Sequence, residues 1–152
     1  MYSSLSKLEI AETQLRQSVV LYMTGTDLIS TVTLAGAADE ILGKMARANG
    51  ETSALDDDVK SLCKMHEAAF GEKPDPKTYV ELRNRARNEF KHLGQDDITE
   101  LDLEVEAQKI LSRAIRNYKK LKPQFDRQLR DFELEAIRRY RAEQLRIVSG
   151  GP

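Results

Sequence analysis

The sequence predicts an all-α protein, and three observations carry that prediction. Apolar side chains recur at steps of three and four over successive long stretches. The eight glycines and four prolines lie mostly in short clusters between those stretches. No segment alternates polar and apolar residues as a half-buried strand would. A chain of 152 residues is long enough to bury one core without disulfides or a structural metal, so a single domain is expected. The 24 basic and 25 acidic residues nearly cancel, which leaves no global field to draw the protein to nucleic acid or to a membrane surface. Electrostatic recognition must be local.

The first helix is expected over residues 5–23, where Leu5, Leu8, Leu15, Val19 and Tyr22 form one apolar stripe before the turn signal Thr24-Gly25-Thr26-Asp27. A second runs from Leu28 to Ala48. Its small residues, "TLAGAADEILGK", let another element approach closely, so it should be central. A third is expected from Asp57 to Phe70 after Ser53-x-x-Asp56 or the acidic triplet, either of which satisfies free amides at a helix start. After the turn "GEKPDPK", a fourth begins either at the cap Asp75 with Pro76 in its first turn or at the box Thr78-x-x-Glu81. It should run through Val80, Leu82, Ala86, Phe90 and Leu93 to Gly94, a residue suited to the left-handed position that closes many helices.

Asp97-x-x-Glu100 is the expected cap of a fifth helix through Leu101, Val105, Ile110 or Leu111, Ile115 and Tyr118, ending near Leu121 because Pro123 disfavours helix just before it. Beyond it, Phe125, Leu129, Phe132, Ala136 and Tyr140 predict a long amphipathic sixth helix. The expected organisation is a bundle over residues 1–121, a basic helix over 122–147 belonging to the same domain, and a disordered tail over 148–152. Residues 96–106 carry six acidic and no basic side chains, whereas 113–146 carry eleven basic against five acidic. Such a run is either a solvated helix face or a stripe that follows a phosphate backbone.

The single cysteine, Cys63, has no intramolecular disulfide partner, which favours a reducing compartment. The N-terminus lacks a basic leader followed by an apolar segment, and the most apolar stretch, 28–42, is interrupted by polar residues. A cytoplasmic protein without membrane attachment is expected.

The segment "RNRARNEFKHLG", residues 83–94, poses the functional question, because it combines three arginines with one of only two histidines. Glu89-x-x-His92 matches one element of a di-iron bundle but lacks a second copy, and Cys63-x-x-His66 supplies two ligands where structural zinc needs four. No metal and no cofactor are expected. In Arg87-Asn88-x-x-x-His92, Asn88 and His92 would share a face of a straight helix, with Arg85 close to it, while Arg87 would lie about 140° from His92. The arginine and histidine would then meet only through the length of the arginine, unwinding at Gly94, or pairing of two copies across a two-fold axis.

"RNEFKH" late in a helix, after a small-residue helix containing "AGAADEIL", resembles the HEPN superfamily, whose hallmark is Arg, often followed by a polar residue, then four to six residues to His. The resemblance covers roughly residues 5–121 and implies a HEPN-like bundle of about five helices, with the long C-terminal helix as an addition. It implies metal-independent RNA cleavage at a homodimer interface, with 2′,3′-cyclic phosphate and 5′-hydroxyl products. On this chain Arg87 would hold the scissile phosphate, His92 would transfer protons, and Asn88 would orient one or the other. Arg83, Arg85 and Lys91 would bind RNA phosphates, and Asp39 or Glu40 would give acidic support from the earlier helix. A toxin or defence role is implied, with a nucleotidyltransferase-type antitoxin as partner. Many HEPN-like domains are instead non-catalytic dimerisation, nucleotide-binding or protein-interaction modules, in which an Arg/Asn/His cluster serves helix capping and assembly.

Overall fold

The helix starts follow from side chains that can accept the first free amides. Ser6 and Glu9 form a reciprocal capping box at the first helix, and Asp27 accepts from the Ser30 amide at the second. Ser53 and Asp56 do the same as a box at the third, and Asp75 accepts from the Lys77 amide just ahead of Pro76 at the fourth. Each such cap is worth about 1 kcal/mol. The computed structural model describes residues 4–92 and 98–148, and these form six helices and no strand: α1 Lys7–Thr24, α2 Leu28–Ala48, α3 Ala54–Phe70, α4 Pro76–Glu89, α5 Leu103–Leu121 and α6 Arg127–Val148. The protein is an all-α helical bundle.

Five expected boundaries shift. Helix α3 begins at Ala54 rather than Asp57, directly behind its Ser53 cap, and α6 begins at Arg127 rather than 122. Leu5 lies before the first helix and is exposed, because the Ser6 box sets the start. The fourth helix ends at Glu89 instead of reaching Gly94. Phe90 N–H still makes the helical bond to the Ala86 carbonyl at 3.2 Å, but Lys91 N–H turns to the Asn88 carbonyl three residues back at 3.1 Å, and His92 N–H shares that carbonyl at 3.0 Å. Gly94 and the expected Asp97 cap lie outside the described residues, as does the expected tail over 149–152; residue 148 belongs to α6. The fifth helix is capped by Asp102, which accepts from the Val105 amide at 3.1 Å, and Leu101 packs on the core immediately before that cap.

Helix α2 lies between α1 and α5 and forms the centre of the bundle. The core unites Leu15, Val19 and Tyr22 of α1, Val32, Ala35 and Leu42 of α2, and Leu111, Ala114 and Ile115 of α5. Helix α6 adds Leu129, Phe132 and Ala136, so it packs back on the bundle, with Phe132 edge-on to Tyr22 at 5.2 Å between ring centroids. Its first turn is tied to α1 by Asp126, which binds Arg16 at 2.7 Å and accepts from the Leu129 amide. Phe125 and Tyr140, expected on the apolar stripe, are exposed.

Helices α3 and α4 pair with each other and lean on α5 and α2. Ala86 is the one α4 residue fully within the core cluster, and α3 contributes none to it. The expected α4 stripe of Val80, Leu82 and Ala86 therefore fails in two places: Val80 and Leu82 face outward, while Asn84 and Ala86 face inward. No helix among the described residues is long and apolar enough to cross a membrane.

Candidate functional site

The inward face of α4 meets α2 and α5 through polar groups. Arg113 of α5 is 1% exposed, and each of its three guanidinium nitrogens finds a partner in the chain itself. Nε donates to Asp39 Oδ2 at 2.8 Å, Nη1 to the Arg83 carbonyl at 3.0 Å, and Nη2 to Asn84 Oδ1 at 2.9 Å. Asn117, one turn further along α5, donates to Asp39 Oδ1 at 2.9 Å and accepts from the Ala54 amide at 2.7 Å. Asp39, Asn84, Arg113 and Asn117 thus lock α2, α3, α4 and α5 together. A buried charge survives only when its partners are fully supplied, and here they are.

One turn beyond Asn84 on α4, Arg87 is placed differently. Its aliphatic stem lies against Gly36 of α2, where a Cβ would come within 2.8 Å of Arg87 Cγ and 3.0 Å of Cδ. Only glycine lets the stem lie there. The side chain is 17% exposed, its Nε is buried without a hydrogen-bond partner among the described residues, and its Nη1 stands 3.6 Å from Glu40 Oε2. Lys91 approaches the same oxygen at 3.7 Å. Both distances exceed a hydrogen bond, so these are ion pairs at loose contact. The other Glu40 oxygen accepts from Lys44 at 2.9 Å. That lysine holds the Glu40 carboxyl below the usual carboxylate range, with smaller contributions from Arg87 and Lys91 against the opposing effect of burial.

These groups line a cavity of about 210 Å³ bounded by Asp39, Glu40, Lys44, Arg47, Asn84 and Arg87, with Gly43, Ser53, Leu55 and Asn117 completing the wall. Arg47 is engaged by Asp56 at 2.8 Å and by the Ser53 hydroxyl at 2.9 Å. Among the described residues Arg87 is therefore the cavity arginine with a donor left unpaired, in contrast to Arg47 in the same wall and to Arg113 beneath it.

The other residues singled out from the sequence are distributed as follows. Asn88, Lys91 and His92 are exposed, and His92 lies in the turn after α4. Within one chain Arg87 faces the bundle interior while His92 faces solvent. Arg85 is exposed, whereas Arg83 is half-buried and bound to Asp58, which also takes Arg116 at 2.6 Å. Of the two acidic candidates, Glu40 faces Arg87 and Asp39 is occupied by Arg113 and Asn117. His66 Nδ1 and the Tyr79 hydroxyl are 2.9 Å apart across α3 and α4, and the ring packs on Phe70 at 4.8 Å. Among the described residues no group of three or more His, Cys, Asp or Glu side chains is placed to hold a metal ion.

Sequence reasoning missed Arg113, Asn84 and Asn117. Their signal was a polar residue inside an apolar helical stripe: Arg113 and Asn117 sit among Ile110, Ala114 and Tyr118. Comparison with protein-family models, with curated proteins and with solved structures gave no match.

Proposed function

We propose that the chain is a metal-independent endoribonuclease of HEPN type that works as a homodimer. The observation that carries this reading is Arg87: its stem rests on Gly36 and its guanidinium lines a polar cavity, with Nε unpartnered among the described residues and the nearest carboxylate at loose contact. A forked cation with unspent donors suits a phosphodiester. In the proposed reaction the 2′-oxygen of the substrate attacks the adjacent phosphorus and the bond to the 5′-oxygen breaks, giving a 2′,3′-cyclic phosphate and a 5′-hydroxyl. The 2′-proton leaves to a base and the departing 5′-oxygen gains a proton from an acid. Imidazole suits either role near neutral pH. Arg87 holds the non-bridging phosphate oxygens, Glu40 sets the arginine's position, and His92 comes from the partner copy, since in one chain it faces away. Asn88, Arg85 and Lys91 are exposed on α4 and in the turn after it, and in this reading they contact the flanking strand. A toxin or defence role, with a nucleotidyltransferase-type antitoxin, follows from the family resemblance alone.

The test is cleavage of mixed single-stranded and structured RNAs in the presence of EDTA by the wild type, Arg87→Ala and His92→Ala, each shown to be folded by circular dichroism. Cleavage by the wild type and its loss in both variants supports the reading. Absence of cleavage by the wild type, or equal cleavage by all three, removes it.

A second reading, a non-catalytic interaction module, draws on Met65, Phe70 and Leu82, which are exposed on α3 and α4. Under it, Leu82→Glu changes the association state and His92→Ala affects assembly without affecting any reaction.

A further inference from the structure

The basic segment over residues 113–146 is largely neutralised inside the molecule. Arg113 is bound to Asp39, Arg116 to Asp58, Lys119 to Glu133, Lys120 to Asp57 and Lys122 to Glu12. Arg127, Arg138 and Arg139 pair with Asp131, Glu135 and Glu104 on or beside α6. Among the described residues, Arg130 and Arg141 have no such partner within 4 Å, and both are exposed. These two line the same groove, a cleft of about 560 Å³ between α5 and α6.

The cleft is built rather than incidental. Gln108 of α5 donates to the Ala136 carbonyl of α6 at 3.1 Å, and the Lys119 to Glu133 pair at 2.6 Å joins the two walls, cancelling its own charge. Arg130, Ile137 and Arg141 point in nearly the same direction on α6 at 3.6 residues per turn, and Tyr140, about a quarter turn round the helix from Arg141, lines the same cleft. Tyr140 is 61% exposed although it lines the cleft, so the ring is accessible to solvent next to Arg141. Arg130 and Arg141 are separated by about 16 Å along the helix axis, at about 1.5 Å per residue. A strand of several nucleotides bridges that span, and a single phosphate group does not.

We propose that the α5/α6 cleft binds single-stranded RNA, with a base stacked on Tyr140 and backbone phosphates on Arg130 and Arg141. An exposed aromatic ring beside one uncommitted cation, with a second about 15 Å away along the same helix, provides the combination that sequence-tolerant single-strand binding uses. The inference rests on RNA being the ligand of the proposed nuclease, but it concerns a surface remote in sequence from Arg87 and is read by binding alone.

The probe is a fluorescein-labelled 12-mer of 2′-O-methyl-uridine, which cannot be cleaved through its 2′-oxygen, with fluorescence anisotropy as the readout. Tyr140→Ala should weaken binding by about 5- to 100-fold, as loss of one base stack implies, and Tyr140→Phe should retain it. The double variant Arg130→Gln/Arg141→Gln should weaken binding and flatten its dependence on salt. A 12-mer without bases should bind wild type and Tyr140→Ala alike. The inference is overturned if the wild type does not bind the probe, or if all variants bind as the wild type does. It is also overturned if the substitutions change self-association or binding to another protein instead of to the 12-mer. Binding through this cleft without RNA cleavage would uphold the inference and remove the nuclease reading. Cleavage with unchanged binding in these variants would do the reverse.

Discussion

The α1, α2, α5 and α6 body and the α3–α4 pair are held by different forces. The body closes around a continuous apolar interior to which all four helices contribute large or well-packed side chains. The pair contributes only Ala86 to that interior and is fastened mainly by charged and polar groups: Arg113 to Asp39, Asn84 and the Arg83 carbonyl, Asp58 to Arg83 and Arg116, Arg47 to Asp56, and Lys120 to Asp57. Apolar burial is non-directional and tolerates small shifts, whereas hydrogen-bonded charges demand a geometry. The pair is therefore held in register more tightly than its apolar burial alone would achieve. Arg87, the candidate phosphate ligand, rides on that registered element.

The largest expected effects separate the two kinds of attachment. Phe132→Ala should cost about 3–5 kcal/mol and lower the whole unfolding transition, as loss of a buried aromatic ring does. Arg113→Ala should cost about 3–5 kcal/mol as well, because it leaves Asp39 buried without its cation. Its loss should appear first as faster amide exchange in α3 and α4. Uniform loss of protection over all six helices in Arg113→Ala would break the comparison.

Next in size is Gly36→Ala. The new methyl would meet Arg87 Cγ and Cδ near the root of the side chain, so the arginine must leave its position, at about 1–3 kcal/mol of overpacking. On the proposed function, RNA cleavage should fall much further than the melting temperature. Retained cleavage in Gly36→Ala would show that the seat of Arg87 on α2 is not needed for the reaction.

Acid should then loosen the pair before the body. The Arg47 guanidinium bound to Asp56 and the Lys120 ammonium bound to Asp57 hold both carboxyls below the usual carboxylate range. A folded-state pKa lowered in this way contributes stability at neutral pH that is withdrawn as pH falls below about 4. Asp126 and Glu12, which bind Arg16, are lowered likewise, but Leu129 and Phe132 keep α6 attached when those pairs are lost. Hydrogen exchange on acidification should therefore rise in α3 ahead of α6. The smallest effect expected is that of Phe125→Ser, within about 0.5 kcal/mol by thermal melting, since this side chain is 81% exposed.

Much of the fold was legible in the chain because helix starts and stops are local chemistry. The second helix falls where it was predicted, as do the C-terminal ends of the first, third and fifth to within about one residue, whereas the third starts three residues earlier than expected. Ser53, Asp75 and Pro123 act as cap, cap and stop because each acts on its own neighbours. Where α4 ends was not legible: a glycine signal at Gly94 competed with a closure at Asn88 that nothing in composition announces. The α4 stripe was misread for a related reason. Periodicity marks a face as apolar but does not say what the neighbour offers, and the neighbour here is the buried Arg113, which favours Asn84 over Leu82.

The sequence by itself determined an all-helical chain, the order and approximate extent of its six helices, and the grouping of Arg87, Asn88 and His92 in one short segment. Tertiary structure alone decided that Glu40 faces Arg87 while Asp39 is taken by Arg113 and Asn117. It also decided that Arg87 turns inward and His92 outward, and that most of the basic charge in residues 113–146 is spent inside the molecule. The physical reason is range. Caps and periodicity act over three or four residues, whereas charge pairing joins residues 74 apart in the chain, as for Asp39 and Arg113, and depends on which helix faces become neighbours.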